Sequence, residues 1–224
     1  MKMPSTRLII GDPTTHLEDS ESSTAEMARL TSSKTIEIRE DALQVAARLA
    51  ASLTEAERVV LVTSCGDRDG TPELAAHLAF GLARVSRALV ALVDGRIRNP
   101  SLDQTFGGIE GPGFCELAEE SANISDVMWD VGDGVTFIPA GRSTSPLAAP
   151  GCGRVIATLR ERFRFVVIAS GPVLSHPESV TFVSQSDGVV LSLRAGLWRR
   201  GEVEIVQREL ARMRRRLLGV VLRD

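Results

Sequence analysis

Apolar residues in this chain follow two alternating spacings. Continuous, β-branched runs occur at 58–64, 89–93, 135–138, 164–170, 188–193 and 217–222. Between them, apolar residues recur every three or four positions, as in 36–52, 154–163 and 203–213. Short apolar runs are typical of buried strands, and the intervening helices are long enough for crossovers between parallel strands. The pattern predicts an α/β fold: a doubly wound, mostly parallel sheet with helices on both faces.

The first part of the chain differs from the rest in composition. Residues 1–35 are rich in Ser, Thr, Glu and Asp and show little periodicity. Such a segment has few apolar groups to bury, so we predict a flexible N-terminal arm. The remaining residues, 36–224, suit a single domain with one sizeable core.

Composition excludes several classes of protein. The net charge of −3 gives no nucleic-acid footprint, and no apolar run approaches the roughly 20 residues that span a bilayer. The first residues are too short and too soon interrupted for a signal peptide, so we expect a cytoplasmic location. Cys65, Cys115 and Cys152 lack the spacing of a metal site, which favours reduced thiols over a disulfide framework.

The junction after the first strand has the layout of a phosphate site without its chemistry. A loop containing Gly66 and Gly70 leads into a helix, whose first N–H groups usually attract anions. A P-loop needs Lys and a hydroxyl after its last glycine, but this chain has Thr71 and Pro72. We predict that Thr71 is a helix N-cap and that Pro72 is the first helical residue.

Charged residues cluster at this loop and after the second strand. Asp67 and Asp69 flank Arg68 in the loop, and their charge disfavours a bound triphosphate. Asp94, Arg96 and Arg98 follow the second strand, with the arginines alternating as on an extended segment. We predict that Arg96 and Arg98 pair with Asp67, Asp69 or Asp94, so that internal ion pairs fill the space above the sheet.

A dinucleotide-binding enzyme is an alternative interpretation of the same loop. Gly66 and Gly70 after the first strand, with Asp94 after the second, loosely imitate a Rossmann fingerprint. A short-chain oxidoreductase would also need a catalytic Tyr and Lys, but the chain has no tyrosine and its only lysines are Lys2 and Lys34. Its three histidines show no metal or triad spacing.

Six segments in order resemble a known family. The chain is similar to the cytoplasmic ATPase domain of the bacterial tyrosine kinases of capsule and exopolysaccharide synthesis. That domain is a deviant P-loop ATPase, related to chromosome-partition and septum-site proteins. The resemblance covers about residues 36–222 and implies a P-loop NTPase-like fold. The segments are VTSCGDRDGTPELAAHLA, VDGRIRNPSLDQTFG, PGFCELAEE, VTFIPAG, RFVVIASGPVLSHPES and SDGVVLSLRAGLWRRGEVE.

The chain departs from this family at the residues that carry the chemistry. Thr71 and Pro72 stand at the lysine and Mg²⁺-hydroxyl positions, Arg96 replaces the second aspartate of the second acidic motif, and Ala169 replaces the aspartate of the third. Asp94 is retained. The family's helix motif for ring assembly keeps only Glu40, with Leu43 and Ala46 at its arginine positions.

These departures imply a fold kept without phosphoryl transfer. The resemblance then indicates a non-catalytic regulatory or scaffold protein of surface-polysaccharide synthesis, with no cofactor, although weak ATP or ADP binding stays open. Its expected partner is a membrane polysaccharide co-polymerase or an active kinase of the same fold, in a homo- or hetero-oligomer. Through that partner, the protein would be located peripherally at the inner membrane. The alternatives are a weakly nucleotide-binding ATPase or a tyrosine autokinase-like protein of the same family, or a positioning protein of the chromosome-partition or septum-site type.

Arginines are concentrated near the C-terminus. The sequence places seven of them on or beside the last helix: Arg199, Arg200, Arg208, Arg212, Arg214, Arg215 and Arg216. A solvated helix face and a docking surface for carboxylates or phosphates both explain such a run. We take Arg208, Arg212, Arg215 and Arg216, with Glu40 on the first helix, as candidate interaction residues.

Overall fold

The computed structural model describes residues 40–109, 111–142, 149–194 and 196–223. The helices are α1 (Glu40–Ser52), α2 (Thr71–Ser86), α3 (Leu102–Thr105), α4 (Phe114–Ala118), α5 (Ile124–Val127), α6 (Ala149–Arg162), α7 (Pro177–Gln185) and α8 (Arg200–Arg212). The strands are β1 (Val59–Ser64), β2 (Val90–Asp94), β3 (Trp129–Asp130), β4 (Val135–Ile138), β5 (Phe165–Ala169), β6 (Gly188–Arg194) and β7 (Arg216–Arg223). The predicted arm at 1–35 lies outside the described residues.

The strands form one sheet in the order β3-β4-β2-β5-β1-β6-β7. All neighbours pair in parallel except β3, which runs antiparallel to β4 at one edge. The central strands β1, β2 and β5 are buried along their whole length, which explains their continuous apolar sequences. The predicted doubly wound, mostly parallel sheet is confirmed. We did not predict β3, because two residues carry no periodic signal.

Helices cover both faces of the sheet with separate cores. On one face, α1, α2 and α3 enclose Phe80, Phe106 and Phe137, with the last two rings 4.8 Å apart between centroids. On the other face, α4, α6, α7 and α8 pack around Phe114 and Phe182, whose centroids are 5.2 Å apart. Burial on both faces holds the strand ends in fixed positions, and those ends carry the candidate site.

Helix α1 packs closely on α2. A Cβ atom added to Gly81 of α2 would lie 2.8 Å from the Cβ atom of Ala46 on α1. Ala46 is fully buried, and Leu43 packs against the same core. Leu43 and Ala46 therefore serve in the packing of helix α1 on the core. Glu40 is the first residue of α1, and the N-terminal part of the predicted helix, 36–39, lies outside the described residues.

Several element boundaries differ from the sequence prediction. Helix α6 begins at Ala149 rather than at Arg154, because Gly and Pro in its first turn concealed the helical pattern. Strand β2 extends to Asp94, and the one-turn helices α3 and α5 were not predicted. Among the described residues, no helix is long and apolar enough to cross a membrane.

Candidate functional site at the carboxyl edge of the sheet

The parallel strands bring four loops to one edge. Strands β1, β2, β5 and β6 lie side by side and end at the same edge of the sheet. Their following segments, 65–70, 95–101, 170–176 and 196–199, therefore meet there. This edge collects the charged residues that the sequence singled out after β1 and β2.

Asp69 holds the β1–α2 loop in place. Its carboxylate accepts hydrogen bonds from the Gly66 N–H (2.9 Å), the Arg194 N–H (3.0 Å) and the Trp198 Nε1–H (2.8 Å), and the residue is only 1% exposed. Its main-chain carbonyl also accepts a bond from the Ser192 hydroxyl at 2.6 Å. The Asp69 carboxylate is thus turned into the loop and onto β6.

Trp198 covers the same loop from the segment after β6. A Cβ atom added to Gly66 would lie 2.5 Å from Cζ2 of the Trp198 ring. Gly66 is thus the position at which the loop backbone directly contacts the indole. The Asp69 carboxylate binds one backbone N–H of the loop, and the Trp198 ring covers the surface of the loop.

Helix α2 begins one residue earlier than predicted. Gly70, not Thr71, is the N-cap, with a left-handed φ of 62° that glycine adopts without strain. Thr71 is the first helical residue and Pro72 the second, and both are buried. The prediction of a Thr71 cap is wrong, because the backbone reverses at Gly70 to leave the loop.

Asp94 performs a structural task at the end of β2. Its Oδ1 accepts the Arg96 N–H, and its Oδ2 accepts the N–H groups of Ser101 and Leu102, each at 3.0 Å. Burial raises the pKa of this carboxyl, and the three N–H donors oppose that shift. Asp94 thus stabilises the segment between β2 and α3, because its two oxygens bind N–H groups from both ends of that segment.

One of the two predicted arginine pairings is confirmed. Arg96 Nη2 lies 3.2 Å from Asp67 Oδ1, so a side chain after β2 reaches the loop after β1. Arg98 instead lies 3.5 Å from Glu178 Oε2, at the start of α7. The prediction that Arg98 pairs with an aspartate of the loop is wrong. Residues 97 and 98 form a turn rather than an extended segment, which directs the two arginines to different partners.

His176 lies between the carboxylates of Asp67 and Glu178 at the same edge of the sheet. Its Nδ1 is 3.2 Å from Glu178 Oε1, and its Nε2 is 3.6 Å from Asp67 Oδ1. The imidazole also packs on Gly171, where an added Cβ would lie 2.7 Å from Nδ1. His176 and Glu178 form, with Asp67, Arg96 and Arg98, a charged rim across three loops.

Ala169 ends β5 without a charged group. It is fully buried, and its carbonyl accepts the Gly95 N–H at 2.7 Å. Beyond it, the Ser170 hydroxyl donates to the Ser179 hydroxyl at 2.7 Å, and the Gly171 carbonyl accepts the Ser179 and Thr63 hydroxyls. Neutral hydroxyls and a methyl group thus occupy the part of the edge that follows β5.

No family model matches the chain, but individual proteins do. It is 24% identical over 171 residues to the tyrosine-protein kinase CpsD of Streptococcus pneumoniae serotype 4, covering 74% of this chain and 75% of that protein. The crystal structure of the VpsO kinase domain superposes with a TM-score of 0.73 and 26% identity, covering 81% of this chain and 95% of that domain. The chain is a relative of the bacterial tyrosine kinases.

The fold of this kinase relative extends to other P-loop proteins. A plasmid partition protein from Borrelia burgdorferi superposes with a TM-score of 0.60 and 17% identity, over 74% of this chain and 78% of that protein. The predicted deviant P-loop architecture is therefore confirmed. The loop of 65–70 occupies the position between β1 and α2 at which such folds have their P-loop.

The cysteines of this kinase relative are buried thiols. Cys65, Cys115 and Cys152 are all free. Burial raises the pKa of Cys65 to about 11, with Asp69 and Glu202 adding to the shift. Burial also raises the pKa of Cys115 and of Cys152 to about 12. A thiol at such a pKa is a poor nucleophile at neutral pH, which agrees with a packing role for Cys65.

The C-terminal arginines do not form one helical face. Arg208 and Arg212 lie on α8, whereas Arg215 follows it in a turn and Arg216 begins β7. Helix α8 also carries Glu202, Glu204 and Glu209, and Arg212 Nη1 lies 2.6 Å from Glu209 Oε1. The expectation of a dense cationic helix is wrong, because its glutamates balance its arginines and the excess charge lies in the following turn.

Two candidate arginines contact the ends of other helices. Arg215 Nη2 donates to the Ser184 carbonyl (2.6 Å) in the last turn of α7, and Arg216 Nη2 donates to the Ser52 carbonyl (3.3 Å) at the end of α1. Arg216 also pairs with Glu57 at 3.1 Å. Cations at helix C-termini satisfy terminal carbonyls and oppose the helix dipole.

The sequence analysis missed three residues that shape the edge. Trp198 and Glu178 contact loops that are distant in sequence, whereas Ser179 donates to the Gly171 carbonyl eight residues before it. The sequence contained a weak indication for Glu178, since this acid follows Pro177 in the first turn of a helix capped by His176. Nothing in the sequence connects Trp198 to Asp69, because that bond depends on β6 lying beside β1.

Proposed function

We propose that this protein is a non-catalytic regulatory or scaffold component of bacterial surface-polysaccharide synthesis and export. Its relationship to the tyrosine kinase CpsD and to the VpsO kinase domain supports the setting. The absence of tyrosine from the whole chain excludes tyrosine autophosphorylation.

One observation carries the non-catalytic part of the proposal. The Asp69 carboxylate accepts the Gly66 N–H of the loop, and Trp198 lies against Gly66. In P-loop proteins, amides of this loop bind phosphates. Here an internal carboxylate and an indole hold the loop, which supports a fold that is complete without a nucleotide.

The residue types at this edge support the same conclusion. Phosphoryl transfer depends on a lysine, a Mg²⁺ ion and acidic ligands that stabilise charge on the transferred group. Buried Thr71, Pro72 and Ala169 stand at three of the family positions, and none of them is a cation or a carboxylate. The retained Asp94 binds three backbone N–H groups.

The partner in this proposal is a membrane polysaccharide co-polymerase or an active kinase of the same fold. We place the contact on α1 and on the α8–β7 region rather than on the closed loop. Arg208 is the best candidate there, since among the described residues its one hydrogen bond goes to the Glu204 carbonyl of its own helix, at 3.3 Å. An acidic surface on the partner would match the positive charge of Arg208.

An ATP turnover assay on the purified full-length protein tests the non-catalytic proposal. We expect no hydrolysis above a mock preparation and no shift in melting temperature with Mg-ATP or Mg-ADP. A ligand at 100 times its Kd would stabilise the fold by about 2.7 kcal/mol. Gly70→Asp is the matched control, because it adds a carboxylate at the loop's mouth. Turnover that Gly70→Asp abolishes would overturn the proposal.

Co-purification from cells tests the docking surface. Arg208→Glu should weaken recovery of the polysaccharide machinery, whereas Thr71→Ala, at the loop, should leave it unchanged. Arg208 is preferable to Arg215 and Arg216, whose replacement would also remove contacts to helix ends. Loss of the partner with Thr71→Ala alone would place the contact at the loop instead.

A further inference from the structure

Arg96 is a buried cation with an unmatched hydrogen-bond donor. Its side chain is 7% exposed, and among the described residues its one hydrogen-bonded contact is the 3.2 Å bond from Nη2 to Asp67. The Nε–H group is buried and has no acceptor in the described part of the chain. A guanidinium offers five N–H donors, so an unmatched buried donor here calls for an acceptor.

Asp67 is a weakly held counter-ion for that cation. Its side chain is 56% exposed, and a single oxygen contacts both Arg96 and, at 3.6 Å, His176. An exposed carboxylate of this kind exchanges readily with solvent, since such pairs add little stability. The head of Arg96 therefore reaches the surface at the place that Asp67 covers.

We infer that Arg96 binds the oxyanion of a ligand, a phosphate or a carboxylate, which displaces Asp67 from the guanidinium. Nε and Nη2 of arginine form a fork that matches two oxygens of such a group, whereas Asp67 uses only one of these nitrogens. The side chain of Arg98, 67% exposed, lies on the same segment and adds positive charge at the rim.

The neighbouring acids limit the charge of the ligand. Glu178 pairs with Arg98 and His176, and Asp94 is buried behind Arg96 with its oxygens on backbone N–H groups. Both carboxylates stay in place when Asp67 leaves. The remaining acids of the rim therefore favour one compact oxyanion and oppose a polyphosphate.

This inference rests on the proposed function in one respect: the ligand is a single oxyanion rather than a Mg-nucleotide. The binding groups belong to the β2–α3 segment, not to the loop amides, one of which is bound by Asp69. Asp67 inhibits ligand binding at this site, because it occupies the Arg96 guanidinium until the ligand displaces it.

Titration with inorganic phosphate at constant ionic strength, followed by NMR, tests the site. Asp67→Asn removes the competing charge and keeps the side-chain shape, so we expect phosphate to bind about tenfold more tightly than to the wild type. Arg96→Lys loses the fork and should weaken binding about tenfold. Arg162→Gln, which removes an exposed arginine at the end of α6, is the control and should bind like the wild type.

The outcomes separate the possibilities. Unchanged affinity in a folded Asp67→Asn protein would overturn the inference, even if Arg96→Lys fails to fold. Equal losses in Arg96→Lys and Arg162→Gln would also overturn it, since they indicate general charge attraction. Parallel titrations with acetate and AMP distinguish a carboxylate or nucleotide source. Mg-ATP turnover together with Arg96-dependent AMP binding would overturn the proposed function and leave the role of Arg96 intact.

Discussion

The carboxyl edge and the arginine-rich turn after α8 both have dense charge in the sequence, but they use it differently. At the edge, side chains from separate loops contact one another, as Arg96 does with Asp67 and Asp69 with Trp198. In the turn, Arg215 and Arg216 contact backbone carbonyls at the ends of α7 and α1.

This difference shows that charge density alone does not identify a binding surface. Arginines that satisfy helix ends stabilise the fold, and their loss changes stability first. Arg215 Nε and Arg96 Nε are both buried without an acceptor among the described residues, so the two arginines differ in the partner that each one holds. Arg96 pairs with an exposed carboxylate that a ligand can replace, whereas Arg215 donates to a helix-end carbonyl that is part of the backbone. The following predictions, from the largest effect to the smallest, test this distinction.

The strongest test concerns Asp69. Asp69→Ala leaves the N–H groups of Gly66, Arg194 and Trp198 without their acceptor, and we expect the free energy of unfolding to fall by about 3 to 5 kcal/mol. Asp67→Ala, two residues away and exposed, should cost less than about 1 kcal/mol. Urea denaturation measures both, and similar costs would contradict a structural role confined to Asp69.

Asp187 lies at the opposite edge of the sheet, where the parallel strands begin. Its contribution to the free energy of unfolding can be measured independently of the candidate site. Burial opposes its ionisation, but bonds from Arg160, Val59 and Arg58 outweigh burial and hold the pKa of Asp187 below its usual value. A lowered pKa stabilises the fold above the unfolded value of about 3.9 and is lost as pH falls through the folded value. Asp187→Asn should cost about 2 kcal/mol at pH 7.

Unfolding curves across pH check the sign of this effect. The difference between wild type and Asp187→Asn should shrink as pH falls below about 4. A difference that stays constant down to pH 2 would mean that packing, rather than the charge of Asp187, accounts for the loss.

Gly66→Ala tests the cover over the loop. The added methyl group would lie 2.5 Å from the Trp198 ring, so the indole or the loop must move. We expect a loss of about 1 to 3 kcal/mol, typical of overpacking, and a red-shifted tryptophan emission as Trp198 becomes more exposed. Trp198→Phe in the same background should remove the spectral change, because the other tryptophan, Trp129, lies on β3.

The smallest effects compare two arginines. Arg215→Gln removes the bond to the Ser184 carbonyl and should destabilise the protein by about 1 kcal/mol. Arg208→Gln should change stability by less than about 0.5 kcal/mol, as for a surface substitution. Thermal unfolding of the two variants, side by side, gives the comparison. A larger loss from Arg208→Gln would reverse our division between structural and available arginines.

The sequence alone predicted most of the fold. Continuous apolar runs such as those of β1 and β5 report burial on both faces, and helical spacing between them requires parallel crossovers. Both signals are local, so they can be recognised without knowing which strands and helices contact one another. One-turn helices and the two-residue β3 escaped prediction, since a single turn has no period to detect.

The sequence by itself also determined which chemical groups are present: no tyrosine in the chain, Thr71 and Pro72 after the loop, and Arg96 after β2. Only the tertiary structure decided what these groups contact. Strand order placed β6 beside β1 and β5 between β1 and β2, which brought Trp198 to Asp69 and Glu178 to Arg98. Side-chain partners of this kind depend on distances between segments more than 70 residues apart, as for Arg98 and Glu178, and no local pattern encodes such distances.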